Sequence, residues 1–366
     1  MSNTAKKAFG PDAPIRVGII GAGGITAKLH LPQLQPLKNV QIAALGGRKI
    51  ERLEVLAKRH GGKPVTDYDA IVEDPRIDAV VIATPHPHHV DWGIKVLKAG
   101  KHLFMQKPLA PTIDEANRFV AAVDASDRVT YCLPQLAVPQ VLAIRDLIAE
   151  GQLGKLSGAH ARHSHGGPEV YNAEVRDLLG EPPLKPGEKL WFFEAGEAAV
   201  GALFDMGVYS VARLVGVLGS AKRVMGMTAI LDKPSQVEDT ASLLIQFANG
   251  AIAVAETGWC DGARSWRMSF HGTTGRVESP GFAGASLSLY KQASTTREDI
   301  PPTRTEVETA RYPNLNPHEQ WIQGIRTGTP PKLETARAAR HITEILLAGL
   351  ASAQHGRAVD LQTRVD

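Results

Sequence analysis

Lys107 stands in "FMQKPLA", at the end of an apolar, strand-like run and directly before Pro108. A following proline disfavours the α region, so Lys107 should be held extended. A lysine so placed is either a surface charge that stops a strand or a group aimed into a site. In the second case it could hydrogen-bond a hydroxyl and help to take its proton. A second chemical signal is "GAGGIT" at 21–26. Between a strand and a helix, Gly21 would allow a tight turn, Gly23 would let a pyrophosphate approach the backbone, and a helix starting near Gly24 would direct its N–H groups at phosphates. The third fingerprint position holds Thr26 instead of Gly or Ala. The plainer reading is a strand–helix turn that binds nothing. His163 and His165 alternate in "ARHSH" and therefore point to one face of a strand. His86, His88 and His89 resemble a metal cluster at first sight. Their spacing lacks an i, i+4 pair, and Asp91 is the only nearby carboxylate, so no metal is expected.

The elements that must position these residues alternate over the first third. "IRVGII" (15–20), "VQIAAL" (40–45), "DAVVIA" (78–83), "HLFM" (102–105) and "RVTYCL" (128–133) are short apolar runs. Between them lie the amphipathic "KIERLEVLAKRHG", the stretch "HHVDWGIKVLKAG" closing on Gly100, and a helix near 112–126. Fully apolar strands alternating with helices imply a doubly wound parallel sheet. That arrangement puts the glycine turn after the first strand and Lys107 at the carboxyl end of another, where ligands bind in open α/β sheets. The second strand runs out in Gly46, Gly47, Arg48 and Lys49, with no carboxylate before Glu51. An acid at this point would hold the adenosine ribose and repel a 2′-phosphate. Its absence, with Arg48 able to pair with that phosphate, favours NADP over NAD. An Arg48 that only stacks on adenine would accept both.

From about residue 155 the pattern changes to longer strands separated by turns. "KLSGAHARHSH" alternates, "TASLLIQFANGAIAVAETGW" reads as a hairpin around Asn249-Gly250, "SWRMSFHGTTGRVESP" turns at Gly272–Gly275, and "ASLSLYK" adds a strand. A mostly antiparallel sheet with one packed face follows. Helices are expected near 205–218 and along the stripe from Ala336 to Leu350. Residues 166–190, rich in Gly and Pro, read as a long loop of the kind that forms lids or substrate loops.

Composition sets the limits. A chain of 366 residues, 43% hydrophobic and 22% charged, suits two soluble domains. A net charge of +3 gives no reason to expect nucleic acid or an anionic membrane. Two cysteines fit a reducing compartment. The N-terminus lacks the apolar core of a signal peptide, and no stretch reaches the roughly 18 apolar residues of a membrane span. A cytoplasmic location is expected.

Together, "VGIIGAGGI", "AVVIATPHPHHV", "AGKHLFMQKPLA", "GQLGKL", "GALFDMGVYSV", "NGAIAVAETGW", "HGTTGRVES" and "GLASAQHGRAVDL" resemble the Gfo/Idh/MocA oxidoreductase group over nearly the whole chain. The resemblance implies an N-terminal Rossmann domain, residues 1–134, and a C-terminal α/β domain, residues 135–366, with a large open, mostly antiparallel sheet that binds substrate and forms oligomers. It also implies hydride transfer between NAD(P) and a hydroxyl-bearing carbon of a sugar, cyclitol or related polyol. Carried over position by position, the family's Glu-Lys-Pro falls on Gln106, Lys107 and Pro108. Its strand-four loop falls on Thr84, Pro85, His86 and His89, on the nicotinamide side. Its glycine turn falls on Gly21, Gly23, Gly24 and Ile25, with Gly47 and Arg48 at the adenosine end. Its Asp-x-x-x-His falls on Asp205 to Tyr209. There are three departures. Gln106 replaces Glu, Tyr209 replaces His, and "CLPQLA" replaces an Asn-x-Arg.

These departures shape the expected chemistry. A Glu at 106 would hold Lys107 charged by ion pairing, whereas Gln106 cannot, so Lys107 should give up its proton more easily. Asp205 and Tyr209, four apart on a helix, share one face. Tyrosine ionises near 10 and is a weaker base than histidine, so Tyr209 either relays a proton beside a cation or only positions substrate. Asp205 could instead be a helix N-cap. His163 or His165 could bind sugar hydroxyls or take the place of the missing histidine. Trp191 could stack on a sugar face. Two other functions stay open: redox-neutral cleavage of a glycoside through transient oxidation, and a non-catalytic dinucleotide-binding regulator. A broad open sheet wants covering, which favours a homodimer or homotetramer.

Overall fold

The computed structural model describes residues 9–10, 12–185, 187–188, 190–195, 201–281, 286–292, 301–314 and 316–365. Most of the N-terminal stretch read for a signal peptide, and residues 186 and 189 of the expected loop, lie outside them. Strands β1 to β6 are Ile15–Ile20, Val40–Gly46, Lys63–Val65, Ala79–Ile82, His102–Met105 and Thr130–Cys132. Helices α1 to α5 are Leu31–Leu34, Ile50–His60, Asp69–Val72, His89–Lys98 and Ile113–Asp124. Further along come α6 (Pro139–Ala149), α7 (Pro168–Leu179), α8 (Val208–Leu218), α9 (Pro317–Thr327) and α10 (Ala336–His355). Strands β7 to β15 are Leu156–Ser164, Ala221–Ala229, Thr240–Phe247, Ile252–Gly258, Ser265–Gly272, Gly275–Ser279, Leu287–Lys291, Thr303–Val307 and Val359–Asp360.

The chain divides into two compact units. One holds residues 1–133, 170–188 and 315–336; the other holds 134–169, 189–314 and 337–366. In the first unit six parallel strands run in the order β3-β2-β1-β4-β5-β6. This is the doubly wound order, with its reversal between β1 and β4. The β4 and β5 strands are buried at every residue, as strands covered on both faces are.

The segment expected as a long loop is corrected here. Residues 168–179 form α7. Val175 and Leu179, four apart, bury one face against the core of Ile19, Leu31 and Leu53. Beyond the helix, Glu181 takes both Arg52 guanidinium donors at 2.7 and 2.6 Å. Gly180 and the prolines that follow end the helix; they do not forbid it. A second contribution came unannounced: α9 buries Trp321, Ile322 and Ile325 in the same core, and His318 stacks on Phe104 at 4.3 Å.

The second unit is built on a nine-stranded sheet, order β14-β13-β12-β11-β7-β10-β9-β8-β15. Every neighbouring pair is antiparallel except β7 and β10. The hairpin at Asn249-Gly250 is present, with positive φ at Gly250 and not at Asn249. Alternation along β9 buries Ala241, Leu243, Ile245 and Phe247 and exposes Ser242, Leu244 and Gln246. One face is therefore packed and the other open.

Candidate active site

In the first unit the sequence-expected residues gather at the carboxyl ends of the parallel strands. Gly21 follows β1 with φ of +97°, and a Cβ there would lie 2.4 Å from the backbone of Ala83 and Thr84. No L side chain fits that turn. At Gly23, by contrast, an added Cβ would come no nearer than 4.0 Å to anything, and it is this open side that a close backbone approach needs. A helical segment opens at Gly24 and Ile25. Thr26, the departure from the fingerprint, is fully buried and donates its hydroxyl to Gly21 O at 2.9 Å. The third position thus braces the turn with a hydrogen bond.

After β2, Gly47 lies against Leu53, and Arg48 is exposed without an ion pair among the described residues. Tyr68 is held between two opposing effects: burial raises its pKa and the Arg48 charge lowers it. Trp92 meets Tyr68 edge-on at 5.2 Å. After β4 come Thr84 and Pro85, then His86 and His89, whose rings are 5.9 Å apart and both buried. After β5, the Gln106 N–H donates to Ile82 O at 3.1 Å, extending the pairing. Lys107 is only 8% exposed, and its peptide bond to Pro108 is cis. Thr84 Oγ1 and Gln106 Oε1 are buried with no partner among the described residues. Buried polar atoms left this way cost free energy unless a ligand or water satisfies them. The cradle at Gly21–Gly24 and these two oxygens fit a dinucleotide running from the turn toward Lys107.

In the second unit, a π-helical stretch, Leu203–Gly207, leads into α8. Along 203–218 only Asp205, Tyr209, Arg213 and Val217 keep partial exposure. They stand at i, i+4, i+8 and i+12, one stripe on an otherwise buried helix. Asp205 is not the N-cap, which is Ala202. Its carboxylate Oδ2 accepts from Trp259 Nε1 at 3.1 Å, with His165 Nε2 3.8 Å away. His165 Nδ1 accepts the Gly167 N–H at 2.8 Å, so the ring's own proton sits on Nε2, toward Asp205.

His163 is more buried. Ser210 donates its hydroxyl to Glu256 O at 2.8 Å, so at 3.3 Å from Ser210 Oγ the His163 Nδ1 is the donor. Burial, helped by the Arg213 charge, lowers the His163 pKa to about 3, and the ring is neutral. Tyr209 and Trp266 flank it, with centroids at 6.1 and 5.4 Å. Trp191 packs on Phe192 at 3.9 Å, and Phe192 meets Trp259 edge-on.

The expected residues thus fall into two sets. Lys107 and the dinucleotide residues belong to the first unit. Asp205, Tyr209, His163, His165 and Trp191 belong to the second. What residue types alone missed are the supports: Trp259 on Asp205, Ser210 on His163, and Trp266 beside Tyr209. Burial alternation along β7 and β11 could have paired His163 with Trp266, which are direct cross-strand partners. Among the described residues no group of three or more His, Cys, Asp or Glu is set to hold a metal.

Residues 15–132 match an oxidoreductase family with an NAD-binding Rossmann fold, GFO_IDH_MocA, and residues 141–278 match the GFO/IDH/MocA C-terminal domain. The chain is 29% identical over 301 residues to levoglucosan dehydrogenase of Pseudarthrobacter phenanthrenivorans, covering 72% of this chain and 73% of that one. It is 28% identical over 267 residues to dTDP-3,4-didehydro-2,6-dideoxy-alpha-D-glucose 3-reductase of Actinomadura kijaniata, covering 72% and 74%. In fold it is similar to a solved levoglucosan dehydrogenase in complex with NADH and levoglucosan, at a TM-score of 0.77 and 20% identity over 95% of this chain and 99% of that one.

Proposed function

Because the chain belongs to the GFO/IDH/MocA family of nicotinamide-dependent oxidoreductases, we propose that it oxidises a hydroxyl-bearing carbon of a sugar, cyclitol or related polyol, or reduces the matching ketone, with NADP preferred over NAD. The observation that carries this reading is Lys107, a buried lysine at the carboxyl end of β5 in a parallel sheet whose glycine turn fits a dinucleotide. The relatives named for sugars, levoglucosan dehydrogenase and the dTDP-hexose reductase, support the substrate class. Functionally, residues 1–134 are read as the dinucleotide-binding part and residues 135–366 as the substrate-binding and oligomer-forming part, in a cytoplasmic homodimer or homotetramer.

When bound, the oxidised nicotinamide supplies a hydride acceptor. Lys107 hydrogen-bonds the reacting hydroxyl and takes its proton. Gln106 offers an amide, without the charge that would hold Lys107 protonated. Asp205, steadied by Trp259 and faced by His165 Nε2, accepts hydrogen bonds from the sugar, and Tyr209 positions the substrate beside it. His163, neutral and pinned through Nδ1, and the Trp191 ring contact substrate hydroxyls and a sugar face. Arg48 meets the 2′-phosphate, in a charge-assisted contact worth about 1.5–3 kcal/mol.

The test is the absorbance of reduced nicotinamide when purified protein meets NADP⁺ or NAD⁺ and a panel of aldoses, cyclitols, anhydrosugars and glycosides. Substrate-dependent reduction is expected, with tighter binding of NADP⁺ that is lost on Arg48→Ala. Tighter NAD⁺ binding by the wild type would overturn the cofactor preference. Binding without any reduction would overturn the dehydrogenase reading.

A further inference from the structure

Arg52 lies in the first turn of α2, and a carboxylate from far along the chain takes its guanidinium. Glu181 accepts from Arg52 Nε at 2.7 Å and from Nη2 at 2.6 Å, one oxygen each. The two side chains keep 23% and 26% exposure. The backbone of Glu181 is pinned. It follows Gly180, whose φ is +69°, and its N–H donates to Arg176 O at 2.8 Å while the Gly180 N–H donates to Asp177 O at 3.1 Å. That pair of bonds closes a helix on a left-handed glycine. From α2, Arg59 donates to Leu178 O at 2.5 Å, and Leu53 and Leu179 share one core. The end of α7 therefore holds the Glu181 carboxylate against the first turn of α2.

That turn is strongly positive. Arg48 and Lys49 are exposed, Lys49 is the N-cap residue of α2, and Arg52 follows three residues later. The α2 N-terminus has no side-chain cap, so its N–H groups add to the same field. Hydrogen bonds from Arg52 hold the Glu181 carboxyl below its ordinary range, and the charges of Arg52, Lys49 and Arg176 pull the same way against burial. Arg176 has partners of its own in Asn172 Oδ1, Pro182 O and Glu188. The other acid of the turn is Glu51, which is exposed.

We infer that Glu181 is a specificity-determining residue for the cofactor: with no cofactor bound its carboxylate holds Arg52 as an internal anion, and the 2′-phosphate of NADP takes Arg52 in exchange, whereas NAD leaves the pair closed. A phosphate monoester brings a charge of about −1.5 to −2 and three acceptor oxygens, against one charge and two oxygens for the carboxylate, so the exchange favours the phosphate. The guanidinium fork suits either anion. Both Glu181 oxygens face Arg52, so Glu181 does not stand in for the ribose acid missing after β2. The inference rests on the reading that Arg48 meets the 2′-phosphate at this end of β2.

Dissociation constants for NADP⁺ and NAD⁺, measured by calorimetry on the wild type and on single variants, test it. Glu181→Gln keeps the shape of the side chain and removes its charge. It should tighten NADP⁺ by about 5-fold, the upper end for a part-exposed ion pair, and change NAD⁺ by less than about 2-fold. Glu51→Gln removes an equal charge from the same turn without releasing Arg52, and should move the ratio of the two constants less. Arg52→Gln should weaken NADP⁺ and spare NAD⁺. An unchanged ratio in Glu181→Gln would overturn the inference and leave the pair as a brace for α7. Equal gains from Glu181→Gln and Glu51→Gln, or equal weakening of both cofactors by Arg52→Gln, would overturn it too. Weaker NAD⁺ binding by Glu181→Gln would overturn it in favour of a ribose contact. The cofactor preference itself is read elsewhere, from the wild-type ratio and its loss in Arg48→Ala. If that loss is seen while Glu181→Gln changes nothing, the inference alone has failed.

Discussion

Gln106 sits where the family resemblance puts a glutamate, and the exchange removes a negative charge beside the lysine proposed to take the proton. An adjacent carboxylate favours the ammonium, by about 1–3 pKa units for close pairs. Oxidation needs Lys107 without its extra proton, so activity rises with pH through the lysine's pKa. Gln106→Glu should therefore shift that limb to higher pH and lower kcat at neutral pH. A limb that stays where it is would contradict the role given to Gln106. Lys107 and the glycine turn were legible as chemistry because their neighbours in the chain, Pro108 and the flanking apolar runs, declare the local structure. Asp205 and Tyr209 were legible only as a spacing. What steadies Asp205 is Trp259, 54 residues away in the chain, with His165 facing the same oxygen. Contacts between distant residues leave no trace in local spacing.

At the scale of elements, the parallel sheet and the hairpins followed from strands whose burial is uniform or strictly alternating. Alpha-helix α7 did not. Its segment is flanked by Gly166-Gly167 and by Gly180 with two prolines, and those turn signals outweighed the Val175–Leu179 spacing inside it. Its packing face becomes evident only when the core of the first unit is present to receive it. The same holds for α9, where Asn316 caps the helix by accepting the Glu319 N–H at 2.8 Å and Trp321 is fully buried. Trp321→Ala deletes a large buried ring and should cost about 3–5 kcal/mol in denaturant unfolding. A cost under about 1 kcal/mol would mean that α9 is not part of the core that holds the dinucleotide turn. The parallel pairing of β7 with β10 was equally invisible, since strand direction is a property of the sheet and not of the strand.

At the scale of the molecule, the open face of the nine-stranded sheet carries Met225, Met227, Leu244 and Ile252, from 46% to 79% exposed. Met225 and Leu244 are direct cross-strand partners, so the apolar surface is continuous. A second copy of the chain over this face is the expected cover, and sedimentation should report a dimer or tetramer; a monomer at micromolar concentration would contradict it. Among the described residues no helix is long and apolar enough to cross a membrane. The whole account depends most on Lys107. The measurement that tests it directly is single-turnover nicotinamide reduction by Lys107→Ala beside the wild type, with dinucleotide affinity measured on both. A fall in rate of about 100-fold or more, in the range of a lost general base, with affinity for NADP⁺ unchanged, is the result predicted. Near-normal turnover would contradict it and return Lys107 to a charge that ends a strand.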